Sequence, residues 1–258
     1  FAWYSNPLHP VTAAGGIQVE DTNVVVNFPG ELDLTLTAEA DQERQGSPMD
    51  EYDLHSFILA CDFRVDDLEL MWEWLEKHRD GLSTIGAHHV VVYESIWEPR
   101  RVLVTIGIRQ ARSIREVLRS PAIFEWFNIS GADDIPPIFG GEVVEKIDLY
   151  GTGSERHVGR VVVGVMSSVD DVSELMVKIH DGLERFKQGG VRKIWVYRAL
   201  DDGQEVLILQ EIDSEVSARQ WIEHPDAAAE WMSNAGMGAY PTRFVGRFAH
   251  LMSVGAQE

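Results

Sequence analysis

An internal repeat constrains the fold of this chain more than any other feature of the sequence. Short segments return 104 residues later without a gap, across helix starts, strands and turns. The matched segments include Val65-Asp66-Asp67 with Val169-Asp170-Asp171, Val92-Tyr93 with Val196-Tyr197, and Pro137 with Pro241. A constant offset over so long a stretch is typical of a duplicated structural unit. We therefore divide the chain into an N-terminal extension, residues 1–50, a first unit, residues 51–152, and a second unit, residues 153–258.

The hydrophobic pattern of each unit predicts the element order β-α-β-β-α-β. In the first unit, strand-like runs cover 54–63, 89–93, 101–108 and 142–149. The first helix follows Asp66-Asp67, which suit a helix N-terminus, and Ser113 with Glu116 forms a capping-box pattern that returns at Ser217. This order is the ferredoxin-like one, in which helices cover a single face of the sheet. We expect an α+β fold in which two tandem ferredoxin-like units form a pseudo-dimeric α/β barrel around a central cavity.

Each unit resembles the dimeric α/β-barrel superfamily, in particular its antibiotic-monooxygenase-like domains. The resemblance covers about residues 52–251 and is carried by a Ser-Pro or His-Pro followed by an aromatic-bearing helix. These are Ser120-Pro121 with Trp126-Phe127, and His224-Pro225 with Trp231. The superfamily includes cofactor-free monooxygenases, haem-degrading enzymes, chlorite dismutases, isomerases and non-catalytic ligand binders. The resemblance therefore implies a ligand pocket but no single reaction.

Alternation along the second strand of each unit predicts which side chains line the pocket. Val90 and Val92, with Ile194 and Val196, should face the helices. The opposite set should face the other sheet, and it comprises His89, Val91 and Tyr93 in the first unit and Lys193, Trp195 and Tyr197 in the second. Such a mixed aromatic and polar lining suits a flat organic ligand. Ordinary packing between the two sheets is the alternative interpretation.

These residues lead to a first hypothesis about function. The protein would be a small-molecule-binding barrel, with cofactor-independent monooxygenase- or isomerase-like chemistry. His89 would be the acid/base, Tyr93 and Tyr197 would orient the ligand, and Val91, Lys193 and Trp195 would bind it.

A second hypothesis is a non-catalytic interaction or assembly protein that uses its acidic N-terminal arm and exposed tryptophans. Trp72 and Trp74 lie two residues apart on a predicted helix, roughly 200° around its axis. We therefore expect one of them to face a second surface. The sequence does not decide between a binding protein and an enzyme.

The sequence motifs predict no metal site and no cofactor. GxGxxG, GxxxxGK[ST] and HExxH are absent, and the adjacent His88 and His89 should point to opposite faces of a strand. Cys61, the single cysteine, lies in an apolar run and should be a core residue. Haem is the one cofactor that the resemblance leaves open, and His89 and His250 are the candidate ligands.

The charge balance bears on partners and location. The chain has 42 acidic and 22 basic residues, a formal net charge of −20, which argues against nucleic acid and anionic membrane surfaces as partners. No run approaches the ~18 apolar residues of a membrane-spanning helix. We expect a cytoplasmic protein whose partner is a small organic ligand. A homo-oligomer or a protein partner bound through the extension, and an upstream segment before Phe1, remain open.

Overall fold

The structure is a computed structural model, and it describes residues 55–84, 86–119, 121–129, 136–150, 161–223 and 242–254. The predictions made for the N-terminal extension, for Ser120 and for the segment from His224 to Pro241 lie outside these residues.

Two similar sets of elements follow one another along the chain. The first set comprises β1 (Phe57–Arg64), α1 (Leu68–Lys77), α2 (Arg79–Thr84), β2 (Ala87–Ser95), β3 (Arg101–Ile108), α3 (Ala111–Arg119), α4 (Pro121–Ile129) and β4 (Ile138–Asp148). The second set comprises β5 (Val161–Ser168), α5 (Val172–Asp181), α6 (Leu183–Gln188), β6 (Val191–Ala199), β7 (Glu205–Ile212), α7 (Glu215–Glu223) and β8 (Thr242–Ser253). The predicted order of strands and helices is confirmed, with α2 and α6 as additional short helices.

The eight strands form one closed antiparallel barrel. Their order around the barrel is β1-β3-β2-β8-β5-β7-β6-β4. Each set of four strands forms a ferredoxin-like sheet, and the two sheets join edge to edge where β2 pairs with β8 and β4 pairs with β6. Because closure pairs the outer strands, neither sheet leaves an open edge. The predicted α+β fold with a pseudo-dimeric α/β barrel is confirmed.

The barrel separates the hydrophobic core into three clusters. Two clusters lie between the strands and the helices, one in each half, and they contain Val90 and Val92 or Ile194 and Val196. Cys61 belongs to the first of them, and its burial raises the pKa of its thiol. The third cluster lies inside the barrel and contains side chains from both halves. We call it the interior cluster.

The equivalence of the two halves shifts by one residue at the last strand. Phe57 and Val161, which are 104 residues apart, pair with Glu142 and Arg247, which are 105 apart. Phe139 therefore corresponds to Phe244, and the prediction of an ungapped repeat is wrong for β4 and β8. This insertion is not visible in the sequence. Pro137 and Pro241 are still 104 residues apart just before the strand, so the offset looks constant there.

The predicted N-termini are confirmed for the first helix of each half, α1 and α5. They are wrong for α3 and α7. The Asp67 carboxylate accepts a hydrogen bond from the backbone N–H of Leu70 at 3.1 Å. The equivalent Asp171 accepts from the N–H groups of Glu174 and Ser173, and these bonds lower its pKa. The capping boxes at Ser113 and Ser217 are wrong, because α3 and α7 begin two residues earlier. In α7 the Ser214 hydroxyl caps the helix instead, accepting from the Ser217 N–H at 3.1 Å.

Both tryptophans of α1 pack against the first helix-facing cluster. Trp72 is buried and stacks on His250, with ring centroids 4.6 Å apart. Trp74 is partly buried and stacks on His78 at 3.9 Å. Trp74 is only partly buried, so the expectation that one of the two faces a second surface stays a prediction. No helix in the described ranges is long and apolar enough to cross a membrane.

Candidate active site

The predicted pocket residues lie where strand alternation placed them. Val91, Tyr93, Trp195 and Tyr197 are buried in the interior cluster. His89 is also buried, while Lys193 is only partly buried, opposite Asp148 of β4 and Glu211 of β7. Strand register places His89 at the level of Gly141 and Ala199, so Lys193 lies toward the opposite end of the barrel and is not brought together with His89.

A cluster of four buried rings occupies part of this region. Nε2 of His55 lies 2.9 Å from the hydroxyl oxygen of Tyr197, which is a hydrogen bond. The ring of His55 meets the ring of His89 edge to face, with centroids 4.9 Å apart. Nδ1 of His89 lies 3.2 Å from Nδ1 of His88. We call His55, His88, His89 and Tyr197 the histidine cluster.

A β-bulge brings His88 and His89 together. The pairing of β2 with β3 shifts between Ala87 and His89, so His88 is an extra residue in the strand. An extra residue interrupts the alternation of side chains. The prediction that His88 and His89 point to opposite faces is therefore wrong. The second half has the same irregularity between Val191 and Lys193.

Gly107 provides the space that the imidazole of His89 occupies. The two residues are directly opposite each other on β3 and β2. A Cβ atom on Gly107 would overlap the His89 ring at Cε1 and lie 2.7 Å from Nδ1 and 2.8 Å from Nε2. The ring therefore lies close against the backbone of β3, in a position that any larger residue at 107 would change.

His55 is a member of the cluster that the sequence analysis missed. It lies two residues before β1, where no alternation pattern applies. Nζ of Lys146 donates to its carbonyl oxygen at 2.8 Å, and the N–H of Val143 donates to the carbonyl of the next residue, Ser56, at 2.9 Å. Strand β4 thus holds this segment beside the barrel interior, which places the imidazole next to Tyr197.

The environment keeps His89 neutral. Burial is the main cause of a fall in its pKa from 6.5 to about 2, and the nearby His55, His88 and Lys146 contribute through repulsion of a positive charge. Lys146 lies directly opposite Trp195 in the pairing of β4 with β6. The site therefore combines a neutral imidazole with nearby basic groups, an arrangement that favours negative charge on a bound molecule.

The second half does not repeat the histidine cluster. At the 104-residue offset, His55, His88 and His89 correspond to Gly159, Arg192 and Lys193. Arg192 pairs with Asp213 and lies over the ring of Tyr150 at 5.2 Å. Glu211 occupies the position equivalent to Gly107 and is directly opposite Lys193. The candidate site is thus a feature of one half, to which the other half contributes Tyr197 and Trp195.

Tyr93 and Tyr197 have different surroundings despite their equivalent positions. Tyr197 hydrogen-bonds to His55, whereas Tyr93 meets Phe248 edge to face at 6.4 Å. The structure brings Tyr197 into contact with His55. A role of Tyr93 in orienting a ligand stays a prediction.

The two candidate haem ligands lie in different environments. His250 stacks on Trp72 and lies 3.3 Å from Glu69, so it faces the helices and not the barrel interior. The ring of His89 lies against β3 at Gly107. In the described part of the chain, no three His, Cys, Asp or Glu side chains are arranged to hold a metal ion.

A cavity of about 470 Å³ lies outside the barrel, beside α6 and α7. Its lining comprises Tyr150, Lys187, Gln188, Gly189, Gly190, Asp213, Ser217, Gln220 and Trp221. None of these residues belongs to the histidine cluster, so this cavity is separate from the candidate site.

Comparison with known proteins identifies the fold. The chain matches no protein-family profile and no curated protein sequence. Among solved structures it is similar to an anthrone oxidase-like protein, with 16% identity, a TM-score of 0.58, and coverage of 80% of this chain and 96% of the other. It is also similar to a proposed monooxygenase from Fusobacterium nucleatum, with 9% identity, a TM-score of 0.52, and coverage of 79% and 96%. The chain therefore has the ferredoxin-like, dimeric α/β-barrel fold of these proteins, with both halves of the barrel in one polypeptide.

Proposed function

We propose that this protein binds a small, flat organic molecule beside His89 and removes a proton from it without a cofactor. The observation that carries the proposal is the buried histidine cluster, which joins a neutral imidazole to a tyrosine hydroxyl at the edge of an aromatic interior. A purely structural core position is rarely filled by three histidines, because each buried ring nitrogen needs a polar partner.

The residues around the cluster favour a particular class of ligand. Trp195 and Tyr93 supply aromatic surfaces in the interior cluster. Lys146 lies on β4 at this side and adds positive charge near His89. A ligand that stacks on aromatic rings and becomes negatively charged when it loses a proton satisfies both features. Phenols and enolisable ketones with a fused aromatic ring belong to this class.

Because the pKa of His89 is low, its strength as a base depends on the ligand that is bound beside it. With a pKa of about 2 the free imidazole is neutral at physiological pH, so its lone pair can accept a proton. It is nevertheless a weak base in the empty site. A ligand anion left next to the new imidazolium raises the pKa of His89 by attraction between opposite charges. His89 therefore removes protons only from molecules whose conjugate base remains at its side.

Two reactions can follow loss of the proton. In an oxygenation, the carbanion reduces molecular oxygen, and a methylene group and O₂ give a carbonyl group and water. This is a four-electron oxidation of carbon balanced by four-electron reduction of O₂. In an isomerisation, the proton returns to a different carbon and no oxygen is consumed. Similarity to an anthrone oxidase-like protein and to a proposed monooxygenase supports the first reaction.

The test combines oxygen uptake with proton exchange. The purified full-length chain is incubated with a panel of anthrones, phenols and cyclic β-diketones, in an oxygen electrode and, separately, in D₂O under nitrogen. We expect oxygen uptake, or deuterium incorporation into carbon, that falls at least ~100-fold in His89→Ala. His180→Ala is the matched control, since His180 is exposed on α5 and paired with Glu145 at 3.0 Å.

The proposal fails if His89→Ala retains the activity of the unmodified protein. It also fails if no member of the panel is bound or changed. The second result would favour the interaction hypothesis, for which Trp97 is an exposed tryptophan. Native mass spectrometry of the same sample distinguishes a bound small molecule from a bound protein.

A further inference from the structure

We propose that the cavity outside the barrel, beside α6 and α7, binds a small, uncharged polyhydroxylated molecule of about the size of a monosaccharide. The site is separate from the proposed function, because its lining contains no member of the histidine cluster. Its volume of about 470 Å³ falls within the range of about 300–1,000 Å³ that is usual for small-molecule sites.

The lining combines hydrogen-bonding side chains with two aromatic rings. Of its nine residues, five carry polar or charged side chains, two are glycines, two are aromatic and none is aliphatic. A hydrophobic ligand would leave those polar groups without partners, which costs free energy. A hydroxyl group both donates and accepts, so it can pair with an amide, a carboxylate or another hydroxyl. The carbon-bound hydrogens of a sugar ring can pack on the aromatic rings.

The charged residues at the cavity favour an uncharged ligand. Asp213 forms an ion pair with Arg192. Nζ of Lys187 lies 3.3 Å from a carboxylate oxygen of Glu184. Each of the two charged lining residues therefore has a partner of opposite sign, and a charged ligand would have to compete with that partner. An uncharged ligand can hydrogen-bond to these groups without separating either pair.

The two aromatic residues of the lining are held in place by neighbouring groups. The indole N–H of Trp221 donates to Oε1 of Gln210 at 3.0 Å. The same indole lies on Gly189, where a Cβ atom would overlap it at Cε3. The guanidinium carbon of Arg192 lies 5.2 Å from the ring centroid of Tyr150. Tyr150 is nevertheless 48% exposed, so its ring can also contact a bound molecule.

The wall formed by Trp221 is specific to the second half of the chain. At the 104-residue offset, Gly189, Gln210 and Trp221 take the places of Ile85, Ile106 and Val117. Ile106 and Val117 belong to the hydrophobic core of the first half. Burying an amide instead of an aliphatic side chain costs free energy unless the amide is hydrogen-bonded. The second half thus has a hydrogen-bonded Trp–Gln pair and a glycine where the first half has aliphatic residues, an exchange that suits a binding site better than a packed core.

Saturation-transfer NMR of the full-length chain tests the proposal. The probes are methyl glucoside, methyl galactoside and myo-inositol, each at about 5 mM, because weak sites of this kind have Kd values in the millimolar range. We expect saturation to pass from the protein to the C–H protons of at least one probe. Tyr150→Ala and Gln220→Ala should each lower that signal about fivefold, since each removes one contact of roughly 1 kcal/mol. Both side chains are exposed, so the fold should tolerate the changes.

Trp97→Ala is the matched control, because Trp97 is an exposed aromatic residue that does not line the cavity. It should leave the signal unchanged. The proposal is wrong if no probe receives saturation from the unmodified protein, or if both lining variants keep the full signal. Loss of the signal on addition of an equal concentration of inorganic phosphate would show an anion site and overturn the assignment to an uncharged ligand. Oxygen uptake and His89 do not enter these measurements, so this proposal and the proposed function can fail separately.

Discussion

His89 illustrates how the burial of one titratable group makes stability depend on pH. The folded chain holds the imidazole in a buried place that lowers its pKa to about 2, while the unfolded chain exposes it with an ordinary pKa of 6.5. Between these two values the unfolded form binds a proton that the folded form does not. Acid therefore favours unfolding, because the unfolded chain can bind a proton at His89. The burial that keeps the ring neutral is thus also the cause of this loss of stability in acid.

We accordingly expect stability to depend on pH through His89. The free energy of unfolding should fall as the pH drops below about 6.5, and His89 alone accounts for a loss of about 2 kcal/mol between pH 7 and pH 5. Urea unfolding at the two pH values measures the loss, and His89→Gln should show a loss smaller by that amount. Equal losses in both proteins would mean that the His89 ring is not protected from protonation.

The sequence predicted the inner residues of the site better than its histidines. Trp195 and Tyr197 follow from regular alternation, a property that local sequence expresses directly. His55 does not, because its position depends on β4 pairing far away in the chain. The predicted face of His88 is wrong because one inserted residue interrupts the alternation of β2. Gly86 and Gly190 lie just before β2 and β6 and have positive φ, as turn glycines do. They therefore give no sign of the bulge that follows each of them.

Among the elements, the two junctions between the sheets have the same construction. In β4 the ring of Phe139 lies over Gly141, and in β8 the ring of Phe244 lies over Gly246. A Cβ at either glycine would also lie 2.8 Å from a carbonyl oxygen on the neighbouring strand, that of Arg198 or Glu94. The aromatic ring covers the glycine and leaves the strands free to approach.

This construction predicts equal costs at the two junctions. Gly141→Ala and Gly246→Ala should each lower the free energy of unfolding by about 1–3 kcal/mol, because the added methyl group overlaps a ring and the backbone of the adjoining strand. Gly164→Ala is the control within a strand, since its Cβ would make only ordinary contacts from 3.4 Å outwards. Chemical denaturation measures all three. A loss at one junction without the other would show that the halves do not close in the same way.

The start of a helix could be predicted from the sequence only where a local side-chain interaction determines it. The first helix of each half begins after its aspartate as predicted, because a side-chain cap is a local interaction. The second helix of each half begins earlier than its capping-box pattern suggested. The insertion before β8 appears only in the pairing of strands, since Phe139 and Phe244 face the same interior cluster although they are 105 residues apart.

The whole molecule is a barrel whose interior belongs to neither half alone. The interior cluster joins Ile58 and Val91 of the first half to Val162 and Leu209 of the second. Each half by itself would expose an apolar sheet face, and a covalent link supplies the cover without an association step. The similarity of the halves was enough to predict that the barrel closes. The arrangement of the histidine cluster could be described only from the side-chain contacts in the structure.

A barrel closed within one chain should unfold independently of concentration. We expect the Tm of the full-length protein to be the same at roughly 1 µM and at roughly 100 µM, because no subunit dissociates before unfolding. Calorimetry or fluorescence at several concentrations measures this. A Tm that rises with concentration would indicate that two molecules exchange their halves or associate through another surface.

The covalent link allows the two halves to differ in sequence at equivalent positions. One example is the replacement of His55, His88 and His89 by Gly159, Arg192 and Lys193. In a barrel made of two identical chains, every substitution appears twice, on both sides of the symmetry axis. Here each side can vary alone, so one wall can specialise in acid–base chemistry while the opposite wall changes to suit the shape or charge of a ligand. An asymmetric molecule can thereby be held in one orientation, a selectivity that strict twofold symmetry forbids.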